Sequence, residues 1–171
     1  MNFQFYAEKL KNSEIYDKFI KENKKAFPCS CFFIIDKQGK DNKQHFDFFI
    51  PDENKMMSIQ LENGALSPVK IPDNFKPEQI SLEHDFDFDT IETIIQKEMD
   101  NKKINNRIQK LLFSLQHKNK RDFLVGTVFI SNFGLIKVNI DIQEKKIIFF
   151  EKKSFLDMFK IIRKGGKNNG N

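Results

Sequence analysis

Apolar residues recur every three to five positions over the first 25 residues, and at every second position over much of the remaining chain. Phe5, Tyr6, Leu10, Ile15, Phe19 and Ile20 give the segment from Phe3 to Lys25 one buried helical face. Asn12-Ser13 interrupts that face, Ser13 is placed to cap a second helix at Glu14, and Pro28 closes the helical run. Three strands are predicted next. Cys31 to Asp36 is almost continuously apolar, as in a strand covered on both faces. Gln44 to Ile50 alternates, with Phe46, Phe48 and Ile50 against His45, Asp47 and Phe49. Lys55 to Leu61 sets Met57, Ile59 and Leu61 against Met56, Ser58 and Gln60. Asn63-Gly64 marks a hairpin, and Pro68 restricts the stretch Leu66 to Ile71 to a sheet edge.

Pro72, Pro77 and several acids make residues 72–88 a connector. Asp89 and Glu92 then form a capping-box pattern. Ile91, Ile94, Ile95 and Met99 line one helical face, and Ile104, Ile108, Leu111, Leu112 and Leu115 line another, with a break or a kink at Asp100-Asn101-Lys102-Lys103. Phe123 to Ser131, Leu135 to Ile142 and Lys146 to Glu151 read as a second meander, turned at Asn132-Phe133-Gly134 and Gln143-Glu144-Lys145. Ser154 caps a short last helix carrying Phe155, Leu156, Phe159 and Ile162. The expected organisation is a helical segment plus meander over 1–71, the connector over 72–88, a second helical segment, meander and short helix over 89–163, and a flexible tail over 164–171. The fold class is α+β, with helices packed on antiparallel β-meanders. The order helix-then-three-strands occurs twice, which leaves a tandem duplication open.

Residues 89–151 resemble the PepSY-type domain of the cystatin-like class: a helix, a strand, a hairpin, then a strand after a "vDa-tGei" turn. The matching stretch is Val138-Asn139-Ile140-Asp141-Ile142-Gln143-Glu144-Lys145-Lys146-Ile147, with Lys145 where the pattern carries glycine. The resemblance implies a binding or inhibitory module. PepSY-type domains are usually exported or membrane-attached, whereas the N-terminal residues here lack the apolar core of a secretory signal. No apolar run approaches the roughly 20 residues that span a bilayer. The expected setting is therefore cytoplasmic, without a membrane partner.

Composition adds a core and a charge asymmetry. Twenty Phe residues supply ample apolar surface. Residues 1–87 carry 12 Lys against 15 acids, and residues 88–171 carry 17 Lys plus Arg against 9 acids. Lys97, Lys102, Lys103, Arg107, Lys110, Lys118, Lys120 and Arg121, followed by Lys160, Arg163 and Lys164, form a candidate basic surface. If they share a face they can contact phosphates in a salt-dependent way; the plainer reading is a solvated helix face and a soluble tail. Only three Arg residues are present, although Arg is the side chain suited to bidentate phosphate contacts.

Other candidate chemistry is sparse. Asp85, Asp87 and Asp89 have the spacing that opens a calcium loop, but Thr90 and Gln96 replace the glycine and the closing glutamate. A solvated edge leading into a helix cap, with Phe86 and Phe88 inward, is the simpler account. His45 and Asp47 share a strand face, and His84 could join them as zinc ligands or as an oriented base; His117 lies in a Lys-rich turn. Ser67-Pro68-Val69-Lys70 has the Ser-x-x-Lys spacing but straddles a proline on a strand. Neither a GxGxxG nor a GxxxxGK[ST] phosphate loop occurs. Cys29 and Cys31 read as reduced, buried, small apolar residues. The sequence thus predicts a non-enzymatic module without catalytic residues, metal or cofactor. Its polar groups do not converge, and its partner is a protein or peptide. The alternative is a nucleic-acid- or ribosome-associated protein using the Lys-rich half. The oligomeric state stays open.

Overall fold

Asn2 and Ser13 start the first two helices by accepting hydrogen bonds from Gln4 N and Tyr16 N at 2.7 and 3.3 Å, as short polar side chains do at helix N-termini. The computed structural model describes residues 2–72 and 74–154. Its elements in chain order are α1 (Phe3–Lys11), α2 (Glu14–Glu22), β1 (Phe27–Asp36), β2 (Lys43–Ile50), β3 (Lys55–Gln60), β4 (Ala65–Val69), α3 (Phe88–Asn101), β5 (Ile108–Lys118), β6 (Arg121–Ile130), β7 (Gly134–Asp141) and β8 (Lys146–Ser154). The described strands form one eight-stranded antiparallel sheet in the order β4-β3-β2-β1-β5-β6-β7-β8. The α+β class is as the hydrophobic pattern predicts. The final helix expected after Ser154, and the tail, lie outside the described residues.

The two meanders join at β1 and β5, whose register runs from Ser30 opposite Gln116 to Asp36 opposite Lys110. Phe33 faces Phe113 across this seam. Phe3 from α1 and Phe88 from α3 close over it, with ring centroids 5.9 and 4.8 Å from Phe33 and 6.2 Å between Phe88 and Phe113. Each of these rings is fully buried, worth about 1.5–3 kcal/mol apiece relative to exposure. Gly126 on β6 makes room for Phe113: a Cβ there would lie 2.5 Å from the ring. Helices α1, α2 and α3 thus contribute to one core on one side of the sheet.

Two expectations are corrected. Residues 108–118 are a strand and not the second helical face predicted for Ile104 to Leu115. Lys103 takes a left-handed φ of 57°, which stops α3, and Leu111, Phe113 and Leu115 then alternate into the core between β1 and β6. Each half therefore has four strands among the described residues. The cap of α3 is Asp87, accepting from Thr90 N at 3.1 Å, two residues before the predicted Asp89. Phe86 and Phe88 do pack inward. Lys145, standing where the PepSY-type pattern has glycine, adopts φ 51°, the conformation that glycine takes most freely.

Candidate functional site

Asp122, the second residue of β6, is only 5% exposed. It stands directly opposite His117 on β5, and cross-strand neighbours on one face approach closely enough to bond. His117 Nδ1 lies 2.5 Å from one carboxylate oxygen. His84 Nε2, from the connector, lies 2.5 Å from the other, which also accepts from Ser81 N at 3.2 Å. Burial pushes the Asp122 carboxyl up, but the bonds from His84, His117 and the Ser81 amide outweigh it and hold the group below its ordinary value. The cluster forms the wall of a depression of about 710 Å³ that Ser81, Lys120 and Gln143 also line.

This convergence corrects the expectation that no polar side chains meet. A helical reading of residues 108–118 leaves His117 in a turn and gives Asp122 no partner. In a strand, the alternation Leu111, Phe113, Leu115, His117 puts the imidazole on the inner face, one hairpin away from Asp122. The predicted grouping of His84 with His45 and Asp47 does not form, because those two lie on the opposite face. His45 stacks on Phe32 with centroids 4.9 Å apart, and Asp47 accepts from Ser30 Oγ at 2.5 Å.

The cluster's chemistry is that of a clasp. A carboxylate can only accept, so the bonds to Asp122 fix His117 Nδ1 and His84 Nε2 as nitrogens that carry hydrogen. His117 Nε2 lies 3.5 Å from Glu78 Oε2. The Ser81 hydroxyl accepts from Glu83 N at 3.1 Å. Among the described residues no three His, Cys, Asp or Glu side chains are placed to hold a metal ion. Cys29 and Cys31 are buried free thiols; burial, then the Asp47 carboxylate, pushes Cys29 up to about 12, far from reactive thiolate.

The second feature is the sheet face away from the helices. Register places Phe32 and Ile34 of β1, Leu112 and Ser114 of β5, and Phe123, Val125, Thr127 and Phe129 of β6 on it. These residues are half-buried and lie outside the core cluster. The expectation that β1 is covered on both faces therefore fails among the described residues. The connector reaches this face at one end, where Phe75 to Glu78 lie beside Ser30, Met56, Ser114 and Gln116. At the other end Ile34, Leu112 and Phe129 floor a depression of about 540 Å³ rimmed by Asp36, Asp41 and Lys110. Asp41 binds Lys43 at 2.8 Å and Lys110 at 2.9 Å, and these two bonds draw its carboxyl down to about 2.

The basic residues are spread over the molecule. Lys102, Lys103 and Arg107 lie before β5, and Lys118, Lys120 and Arg121 at its far end, about 33 Å along the strand. Lys97 is exposed on α3. Lys102 pairs with Glu98 at 3.3 Å and Arg121 with Asp141 at 2.9 Å. Lys160, Arg163 and Lys164 lie outside the described residues.

No family model matches the chain, and no curated protein matches it. A crystal structure from Clostridium difficile 630, bearing the description "putative lipoprotein", is similar in fold. Its TM-score is 0.53 and its identity 14%, over 80% of this chain and 89% of that one. Among the described residues no helix is long and apolar enough to cross a membrane.

Proposed function

We propose that this protein is a cytoplasmic interaction module that binds another protein or a peptide on the sheet face opposite its helices. The observation that carries the reading is the half-buried band of Phe32, Ile34, Leu112, Val125 and Phe129, uncovered among the described residues, with its apolar-floored depression. Contiguous apolar surface rimmed by polar groups is the signature of a protein contact. Both charge signs stand at this rim, with Asp41 already paired to two lysines, which suits a protein partner better than a polyanion. The His84–Asp122–His117 cluster supports the same reading: it ties the connector to the β5–β6 hairpin and so steadies one end of that face. The layout also favours a duplicated unit. Each half is a helical segment followed by four meandering strands, and the first strands of the halves meet antiparallel. The word lipoprotein in the similar structure's description is at odds with a cytoplasmic setting, but 14% identity carries the fold alone.

The test is Leu112→Asp, which puts a charge on the floor of the bare face without entering the core. Affinity capture from the native host, compared between wild type and variant, should lose a specific protein partner while the unfolding midpoint stays within a few degrees. Retention of every partner by the variant, or loss of a nucleic acid instead, refutes the reading.

A further inference from the structure

Of the eight non-glycine residues with positive φ among the described residues, seven are Asn or Lys. Asn tolerates the left-handed conformation, and Lys keeps its amine in water. The eighth is Phe133, with φ 55° at the tip of the β6–β7 hairpin and its side chain 81% exposed. The turn could have placed the neighbouring glycine there. Gly134 is instead held in β7 because a Cβ at that position would lie 2.8 Å from Ile130. A large apolar side chain therefore sits where the backbone disfavours it and water surrounds it, and neither the core nor the turn gains by it. Backbone strain that its own molecule does not reward points to a functional contact at that residue.

The surroundings say what kind of contact. Ser131 N donates to Arg107 O at 2.8 Å and Asn106 Nδ2 to Ser131 O at 2.8 Å, so the hairpin tip is tied to the start of β5. The depression floored by Ile34, Leu112 and Phe129 opens at that same end of the sheet. At about 540 Å³ it lies within the roughly 300–1,000 Å³ of clefts that enclose whole ligands, so an aromatic ring fits. Its rim carries Asp36 and Asp41 with Lys110, and Lys43 also pairs with Asp41, so these four charges sum to zero and two such rims meet without a net repulsion.

We propose that Phe133 is the anchor through which two copies of this chain pair, each seating its ring in the other's depression. Finger and hollow at one end of the sheet make the exchange reciprocal, which closes as a two-fold dimer and cannot run on into a filament. The inference rests on the bare face being a protein-binding surface and names the partner as a second copy.

Sedimentation equilibrium of the wild type, Phe133→Asn and Leu112→Asp tests it. Asn keeps the left-handed turn, so Phe133→Asn should fold with an unfolding midpoint no lower than wild type at a dilution where the wild type is monomeric. The wild type should show a monomer–dimer equilibrium, and both substitutions should weaken it roughly 30-fold or more, as loss of a contact's central aromatic does. A wild type that is monomeric at roughly 1 mM, or a Phe133→Asn dimer as tight as wild type, overturns the pairing. A monomeric wild type that still loses a different protein partner on Leu112→Asp refutes the pairing alone and leaves the binding face intact. Loss of both results refutes the binding face as well.

Discussion

Asp122 ties Ser81 and His84 of the connector, 41 and 38 residues away in sequence, to the hairpin that carries His117 and Asp122 itself. Asp122→Asn removes the charge and one acceptor while keeping the shape. It should cost about 2–3 kcal/mol, the range for hydrogen bonds to a charged group, read from urea unfolding at pH 7. The folded-state value of this carboxyl is depressed, so its contribution is complete above the unfolded-state value of about 3.9. It disappears as the pH falls through the lower folded-state value. The gap between wild type and Asp122→Asn should therefore be full at pH 7 and close only in acid below about pH 4; a gap that closes between pH 6 and pH 8 would contradict this role for the carboxylate. Phe133→Gly is the converse case. Releasing a left-handed Phe should stabilise the monomer by about 1 kcal/mol in thermal unfolding, read at a dilution where the wild type does not pair. A loss of stability would mean that the ring packs on its own molecule. Neither residue stands out in the sequence, because the roles of both depend on their partners. Asp122 looks like any strand-end acid until His117 is known to lie opposite. The turn that holds Phe133 is legible in Asn132-Phe133-Gly134, but its left-handed backbone and its exposure are not.

Among the elements, helix α1 is legible at both ends and α2 at its start, since Ser13 both stops one and caps the next; α2 ends at Glu22, short of the expected Lys25, and Pro28 falls inside β1. The strands β2, β3, β6 and β7 are legible through alternation. Residues 104–118 are not, because Ile104, Ile108, Leu111, Leu112 and Leu115 fit a 3.6-residue period as well as they fit a strand. What decides is the pairing of β5 with both β1 and β6, a non-local gain that overrides local propensity. The cap of α3 falls two residues from its predicted place for a related reason: Asp87 and Asp89 are both competent, and the burial of Phe86 and Phe88 selects between them. Asp87→Ala should cost about 1 kcal/mol and Asp89→Ala less, compared by urea unfolding. Gly126→Ala probes the sheet itself. Its new methyl would meet Phe113 at 2.5 Å and Val138 at 3.2 Å, an overpacking expected to cost about 1–3 kcal/mol. An unchanged midpoint would mean that the Phe113 ring yields freely.

At the scale of the whole molecule, the β1–β5 seam makes two meanders into one sheet over one core. Amide exchange should accordingly be slowest in β1 and β5 and fastest in the edge strands β4 and β8. Exchange at the seam as fast as at the edges would mean that the halves open separately. The charge asymmetry between the halves is legible in the sequence. Its dispersal to opposite ends of β5 is not, because it depends on the strand's direction across the sheet. The bare face is hidden for the same reason: Cys31 to Asp36 reads as a doubly covered strand, yet among the described residues the helices cover one side of it only. Binding at that face is the central claim, and photo-cross-linking tests it most directly. A photoreactive side chain replaces Thr127, in the middle of the bare face, or Gln96, on the outer helix α3, and is activated in living cells of the native host. A protein-binding face predicts discrete protein adducts, a second copy of the chain among them, from position 127 and few from position 96. Equal labelling at the two positions, or adducts at position 127 made only to nucleic acid, would contradict it.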